Sequence, residues 1–122
     1  MKTRITDSGL EHLSGMDRLE RLQLAKTQIS GRGIDHLNGL PELKDLFLEN
    51  TPICNTDLEY FRALRKLSYL NLSNTRVNNA GLEHFKALIQ VKTLDLTGTH
   101  VSQDARETLR NWLPQCIILP TP

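Results

Sequence analysis

The chain has few aromatic residues, few cysteines, no excess of charge and no long apolar run. Each shortage removes a class of function. Aromatics make up 5% of the 122 residues, too few to furnish a sheet that stacks nucleobases. Fifteen basic residues stand against 14 acidic ones, so there is no electrostatic footprint for nucleic acid or for an anionic membrane. The two cysteines, Cys54 and Cys116, fall at unrelated places, which speaks for reduced thiols and against a disulfide framework. The opening MKTRITDSGL lacks the apolar stretch of a signal peptide, and nothing later is long enough to span a bilayer. A cytoplasmic chain without a membrane partner is the expectation. No Gly-rich phosphate loop, nucleophile elbow or set of paired carboxylates appears. Neither a catalytic residue nor a cofactor is expected, and the chain reads as no enzyme.

What is present is a repeat. Leu19, Leu43, Leu67 and Val91 share one column when the sequence is laid over itself in steps of 24. Leu22, Leu46, Leu70 and Leu94 share the next, then Leu24, Leu48, Leu72 and Leu96. Thr27, Thr51, Thr75 and Thr99 make another, which Thr3 extends backwards, and Ile5, Ile29, Ile53, Val77 and Val101 form a β-branched one. No insertion breaks the register. A fixed period of this size marks a solenoid, whose coils bury a shared core only when stacked.

Within each unit the apolar period changes. Leu67, Leu70 and Leu72 suit a half-buried strand, whereas Leu82, Phe85 and Leu88 suit one face of a short helix. The chain divides as a single domain: a partial repeat at 1–18, repeats at 19–42, 43–66, 67–90 and 91–114, and a strand or tail at 115–122. The partial repeat keeps its apolar residues, which suggests that the sequence begins inside a longer protein and not at a polar cap. At the far end the spacing predicts an amphipathic helix from about Ser102 to Trp112. A short apolar strand follows it, and the two together shield the last coil.

Helix starts are legible too. Thr6, Ser30, Asn78 and Ser102 are N-cap residue types, and Cys54 shares their column. Ser8–Glu11 and Thr56–Glu59 have capping-box spacing. The acids Glu11, Asp35, Glu59, Glu83 and Glu107 follow in register, where a helix dipole favours them. Gly39-Leu40-Pro41 reads as a helix stop.

These residues spell LxxLxLxxT in LERLQLAKT, LKDLFLENT, LSYLNLSNT and VKTLDLTGT, and I-T-D-x-G-L-x-x-L from Ile5 to Leu13. The pattern resembles the leucine-rich repeats, in particular bacterial and planctomycete relatives of the cysteine-containing subclass. It is similar also to the repeat arrays of F-box substrate receptors. Thr stands where the family usually has Asn or Cys, and the helix-flanking Cys of the eukaryotic subclass is missing; both departures favour the bacterial type. The resemblance implies an α/β right-handed solenoid of about four strands, with a parallel sheet on the concave side and short helices on the convex side. The Thr column is expected to satisfy backbone groups at the corner after each strand, a structural role.

On such a sheet the residues beside the strand leucines point outward. They form the columns Arg21, Asp45, Tyr69, Thr93; Gln23, Phe47, Asn71, Asp95; and Ala25, Glu49, Ser73, Thr97. Phe47 stands exposed at the centre with Tyr69 beside it, and Asp45, Glu49, Arg21, Asn71 and Asp95 surround the pair. An aromatic centre with a polar rim is the composition of a binding hot spot. The alternative is a cross-strand aromatic pair with Arg21 and Asp45 neutralising each other. His12, His36 and His84 share a column, but Tyr60 interrupts it and no ligand spacing accompanies it, so no metal is expected. Cys54 has no His placed to act as its base. The glycosylation pattern Asn71-Leu72-Ser73 lies within a strand. The functional expectation is a non-enzymatic module that binds a protein or peptide, by preference a basic one. A substrate-recognition segment of a ubiquitin-ligase receptor and a fragment that self-associates through its exposed first coil are the alternatives.

Overall fold

The computed structural model describes residues 7–10, 13 and 15–120. Five short parallel strands form one sheet in sequence order: β1 Arg21–Gln23, β2 Asp45–Phe47, β3 Tyr69–Asn71, β4 Thr93–Asp95 and β5 Ile117–Leu119. The register repeats the 24-residue period without slip, with Arg21 opposite Asp45, Asp45 opposite Tyr69, Tyr69 opposite Thr93 and Thr93 opposite Ile117. One strand more is present than expected. The segment foreseen as a separate shield, Ile117–Leu119, joins the same sheet because Ile118 continues the column of Leu94 and is just as buried.

Helices return the chain on the other side: α1 Asp7–Leu10, α2 Gly31–His36, α3 Leu82–Phe85 and α4 Gln103–Trp112. Tight 3-10 turns replace or extend them at Leu37–Gly39, Asn55–Ala63 and Asn79–Gly81. The sequence explains the difference. Leu58, Phe61 and Leu64 are buried at spacings of three, which matches a helix of three residues per turn. In α4 the buried residues Ala105 and Leu109 are spaced by four, and an ordinary α-helix results. Among the described residues no helix is long and apolar enough to cross a membrane.

Three polar systems recur from coil to coil. The first is the threonine column: Thr27, Thr51, Thr75 and Thr99 each donate Oγ1 to the carbonyl three residues earlier, at 2.6–2.7 Å. Thr27, Thr51 and Thr75 do so while buried, so the hydroxyl satisfies a corner that water does not reach. Thr3, Thr6, Glu11 and His12 lie outside the described residues.

The second is a turn in the left-handed region. Lys26, Asn50, Asn74 and Gly98 share a column and have φ of 62°, 59°, 56° and 74°. Asn and Gly tolerate this conformation; Lys does not favour it. Main-chain bonds continue through the turn, from Lys26 N to Glu49 O, from Asn50 N to Ser73 O and from Asn74 N to Thr97 O.

The third system joins helix starts. Asn55 Oδ1 accepts the Asn78 N–H and Asn79 Oδ1 accepts the Ser102 N–H, each reaching 23 residues forward. Asp7 does the same for Ser30, taking both its N–H and its hydroxyl. Gly31 interrupts this column, and its N–H donates instead to Asp57 of the next coil at 2.9 Å. A Cβ at Gly31 would meet Tyr60 Cε2 at 2.5 Å, so a larger residue there requires the Tyr60 ring to move.

The caps differ from the expected ones in detail. Asn78 caps the turn at Ala80 and Ser102 caps α4 at Ala105. Ser30 gives its hydroxyl to Asp7 and does not cap its own helix. The capping box in the repeat at 43–66 is Cys54–Asp57, not Thr56–Glu59, because Asp57 stands three residues after the extended Cys54 and reaches back to its N–H. The Ser8–Glu11 pair lies outside the residues whose side chains are described.

The two ends of the core are unlike. Leu19 and Leu22 are partly exposed and Met16 is 49% exposed, whereas their counterparts in later coils are buried. At the other end α4 and β5 close over Leu109, Leu113 and Ile118, and Lys86 sits 4.2 Å over the Trp112 ring. Arg110 reaches from α4 to β5 and donates to the carbonyls of Ile118 and Pro120 at 2.9 and 3.0 Å.

Candidate functional site on the sheet face

Alternation along β1–β4 sends the leucines inward and brings the flanking residues together on the outer face of the sheet. Arg21, Asp45, Phe47 and Tyr69 line one depression there. The rings of Phe47 and Tyr69 lie 5.1 Å apart between centroids and are tilted by 44°. That separation is typical of an attractive aromatic pair. Arg21 approaches from β1, with Nε 3.5 Å from Asp45 Oδ2 and Cζ 5.3 Å from the Phe47 centroid. The cross-strand pair and the Arg21–Asp45 contact are thus both present, and the aromatic centre keeps its polar rim.

Exposure differs from expectation at two positions. Phe47 is partly buried, since Tyr69 on one side and Arg21 on the other cover its ring. Asn71 does not present itself to solvent; it is 8% exposed. Its Oδ1 accepts both the N–H and the hydroxyl of Ser73, at 3.0 and 2.8 Å. Its Nδ2 faces Glu49 Oε2 and the Tyr69 hydroxyl, each at 3.4 Å. Asn71 therefore fixes the rim from beneath, and its amide nitrogen is not placed to accept a glycan in the folded chain.

The same column repeats this local bond. Gln23 Oε1 accepts the Ala25 N–H and Asp95 Oδ1 accepts the Thr97 N–H, so the side chain closes a turn where the strand ends. Phe47 alone in this column of four has no group for that bond. Its place is the one where the sheet spends a strand-end position on an aromatic ring.

Electrostatically the site is acidic. The Tyr69 hydroxyl is pushed above the usual tyrosine range, first by burial and then by the charge of Asp95, with Glu49 and Asp45 adding to it and the bond to Asn71 opposing it. Glu49 Oε1 is buried and has no hydrogen-bond partner among the described residues. Three carboxylates thus bear on one phenol, with Arg21 as the cation beside them.

Elsewhere the candidates stay apart. His36 and His84 are partly exposed on the helix side, and no group of three or more metal-ligating side chains occurs among the described residues. Cys54 and Cys116 are both free. Burial pushes the Cys116 thiol up to about 11.

The apolar columns of the sequence do not single out the coil-joining carboxamides Asn55 and Asn79. Their signal was there: Asp7, Asn55 and Asn79 share a column, and an Asx residue recurring at the solenoid period is a candidate for such a ladder.

A Leucine Rich repeat family model matches residues 63–85. Among solved structures, an internalin from Listeria monocytogenes is similar over 98% of this chain, at 26% identity and a TM-score of 0.76. A leucine-rich-repeat protein of Leptospira interrogans shares the fold over 96% of the chain, at 19% identity and a TM-score of 0.55. The chain spans 32% of the internalin and 40% of the Leptospira protein. No curated protein matches it in sequence.

Proposed function

We propose that this chain, which is built of leucine-rich repeats, is a recognition module that binds a protein or peptide on the outer face of its sheet. The observation that carries the reading is the Phe47–Tyr69 pair ringed by Asp45, Glu49, Asp95 and Arg21. Aromatic side chains held in fixed rotamers give contact area at little entropic cost. The strands under them are tied in register by main-chain bonds, and the threonine column fixes the corner that follows each strand, so the surface is preorganised. Asn71 supports it by orienting Glu49 and Tyr69. Excess carboxylate favours a basic segment and speeds its approach. The module contributes binding and no chemistry.

The test is capture from a lysate of the source organism by the parent chain and by the Phe47→Ala/Tyr69→Ala double variant. Proteins held by the parent and lost by the variant would mark the partner. Retention of one and the same set by both would place binding elsewhere. Circular dichroism of the variant guards against loss of fold.

A second reading rests on the first coil. Met16, Leu19 and Leu22 leave apolar surface there that later coils bury, and an apolar end invites self-association. Sedimentation over a hundredfold dilution distinguishes a monomeric binder from a self-associating repeat.

A further inference from the structure

Arg21 occupies the place that an incoming cation would take. An aromatic face beside a carboxylate is an environment that suits a guanidinium, and Arg21 finds both in Phe47 and Asp45. Its hold is loose. The Arg21 side chain is 71% exposed, and the contact to Asp45 runs through Nε at 3.5 Å, longer than a good hydrogen bond. Exposed pairs of this kind contribute little and are readily exchanged. Meanwhile Glu49 and Asp95 also bear on Tyr69, and Glu49 Oε1 has no donor among the described residues. Of the three acids that bear on Tyr69, Arg21 is paired with Asp45.

We propose that the depression lined by Asp45, Phe47 and Tyr69 receives an arginine side chain of the bound protein or peptide, and that Arg21 is its intramolecular stand-in, displaced on binding. This rests on the reading of the sheet face as the partner surface. A planar guanidinium fits better than a compact ammonium, because the Phe47 face that Arg21 now covers gives it a plane to stack on and Asp45 beside that face offers acceptors for its fork of donors. The role of Arg21 is thereby reversed. It is a competitor of the partner, not a contact residue, and its removal tightens binding.

The experiment uses N-acetyl-arginine methylamide as the probe, titrated into the ¹⁵N-labelled parent and into Arg21→Gln, with amide shifts followed by NMR. The citrulline analogue, equal in shape but uncharged, is the control. Saturable shifts at Asp45, Phe47 and Tyr69 are expected with the arginine probe alone. The midpoint for Arg21→Gln falls about threefold below that of the parent, the size of one exposed cation–π contact. A midpoint that stays equal or rises in the variant overturns the proposal, as do equal shifts with citrulline or no shifts in either chain. Failure here and failure of the partner surface are separable. If the Phe47→Ala/Tyr69→Ala variant still loses captured proteins while Arg21→Gln gains nothing, the surface stands and the stand-in falls. If the double variant loses none, both fall.

Discussion

Asn79 holds Ser102 by both ends of its carboxamide. Its Oδ1 accepts the Ser102 N–H at 2.9 Å and its Nδ2 donates to the Ser102 hydroxyl at 3.2 Å. The same hydroxyl accepts the Ala105 N–H and so caps α4. One side chain therefore aligns the start of a helix in the following coil and steadies the group that caps it.

Replacing Asn79 by Ala is expected to destabilise the chain by about 1 kcal/mol, the usual net worth of such bonds. Asn79→Asp should lose less, because Asp7 already serves Ser30 in the same way, with Oδ1 accepting its N–H at 2.6 Å. Urea denaturation of the two variants beside the parent checks the order. Equal losses would mean that the backbone acceptor is not what matters.

Lys26 pays a conformational penalty that Asn50, Asn74 and Gly98 avoid. Lys26→Asn keeps φ at 62° and is expected to stabilise by about 0.5 kcal/mol. Gly98→Ala should do the reverse, since its φ is 74° and a Cβ there meets the Asn74 carboxamide. Thermal unfolding of both variants gives the two signs.

Thr75 is buried, and its Oγ1 donates to the Leu72 carbonyl at 2.7 Å. Thr75→Val and Thr75→Ser should each cost about 1 kcal/mol, the first by removing the donor and the second by removing the methyl. A harmless Thr75→Val in chemical denaturation would show that the column is a packing column only.

Cys116 and Cys54 should separate cleanly in thiol labelling at neutral pH. Cys54 is partly exposed and reacts; Cys116 is buried, with its thiol pushed up to about 11, and stays protected until the chain unfolds. Because the folded chain holds this proton more tightly than the unfolded one, the associated stability is complete below the ordinary thiol range and is lost as the pH rises towards about 11. Urea midpoints of parent and Cys116→Ala should therefore converge or cross in alkaline solution. Parallel midpoints across that range would refute the linkage.

Much of this was legible in the residues themselves. Leu46 and Leu70 recur at the solenoid period and alternate with outward residues, which determines strand, register and face together. Asn71 was misplaced for a physical reason: strand alternation gives the direction of a side chain but not the bulk of its neighbours, and Tyr69 and Glu49 close over it. The link made by Asn79 is not legible in the columns because its partner lies 23 residues on, one short of the repeat, so column matching does not pair them. The last segment reads as a strand but not as part of the sheet, since Ile117 and Leu119 replace the polar outward residues of the earlier coils.

The contacts of Arg110 with Ile118 and Pro120 give the sheet a direction. A newcomer approaching β5 finds two carbonyls already engaged by a guanidinium and, at Pro120, a residue with no N–H to offer. Strand-by-strand extension from that side is thus chemically obstructed, the kind of protection by which sheet proteins resist aggregation. Copies of this chain that meet in solution have a reason to avoid joining through β5, and any polymer they formed would have to grow from elsewhere.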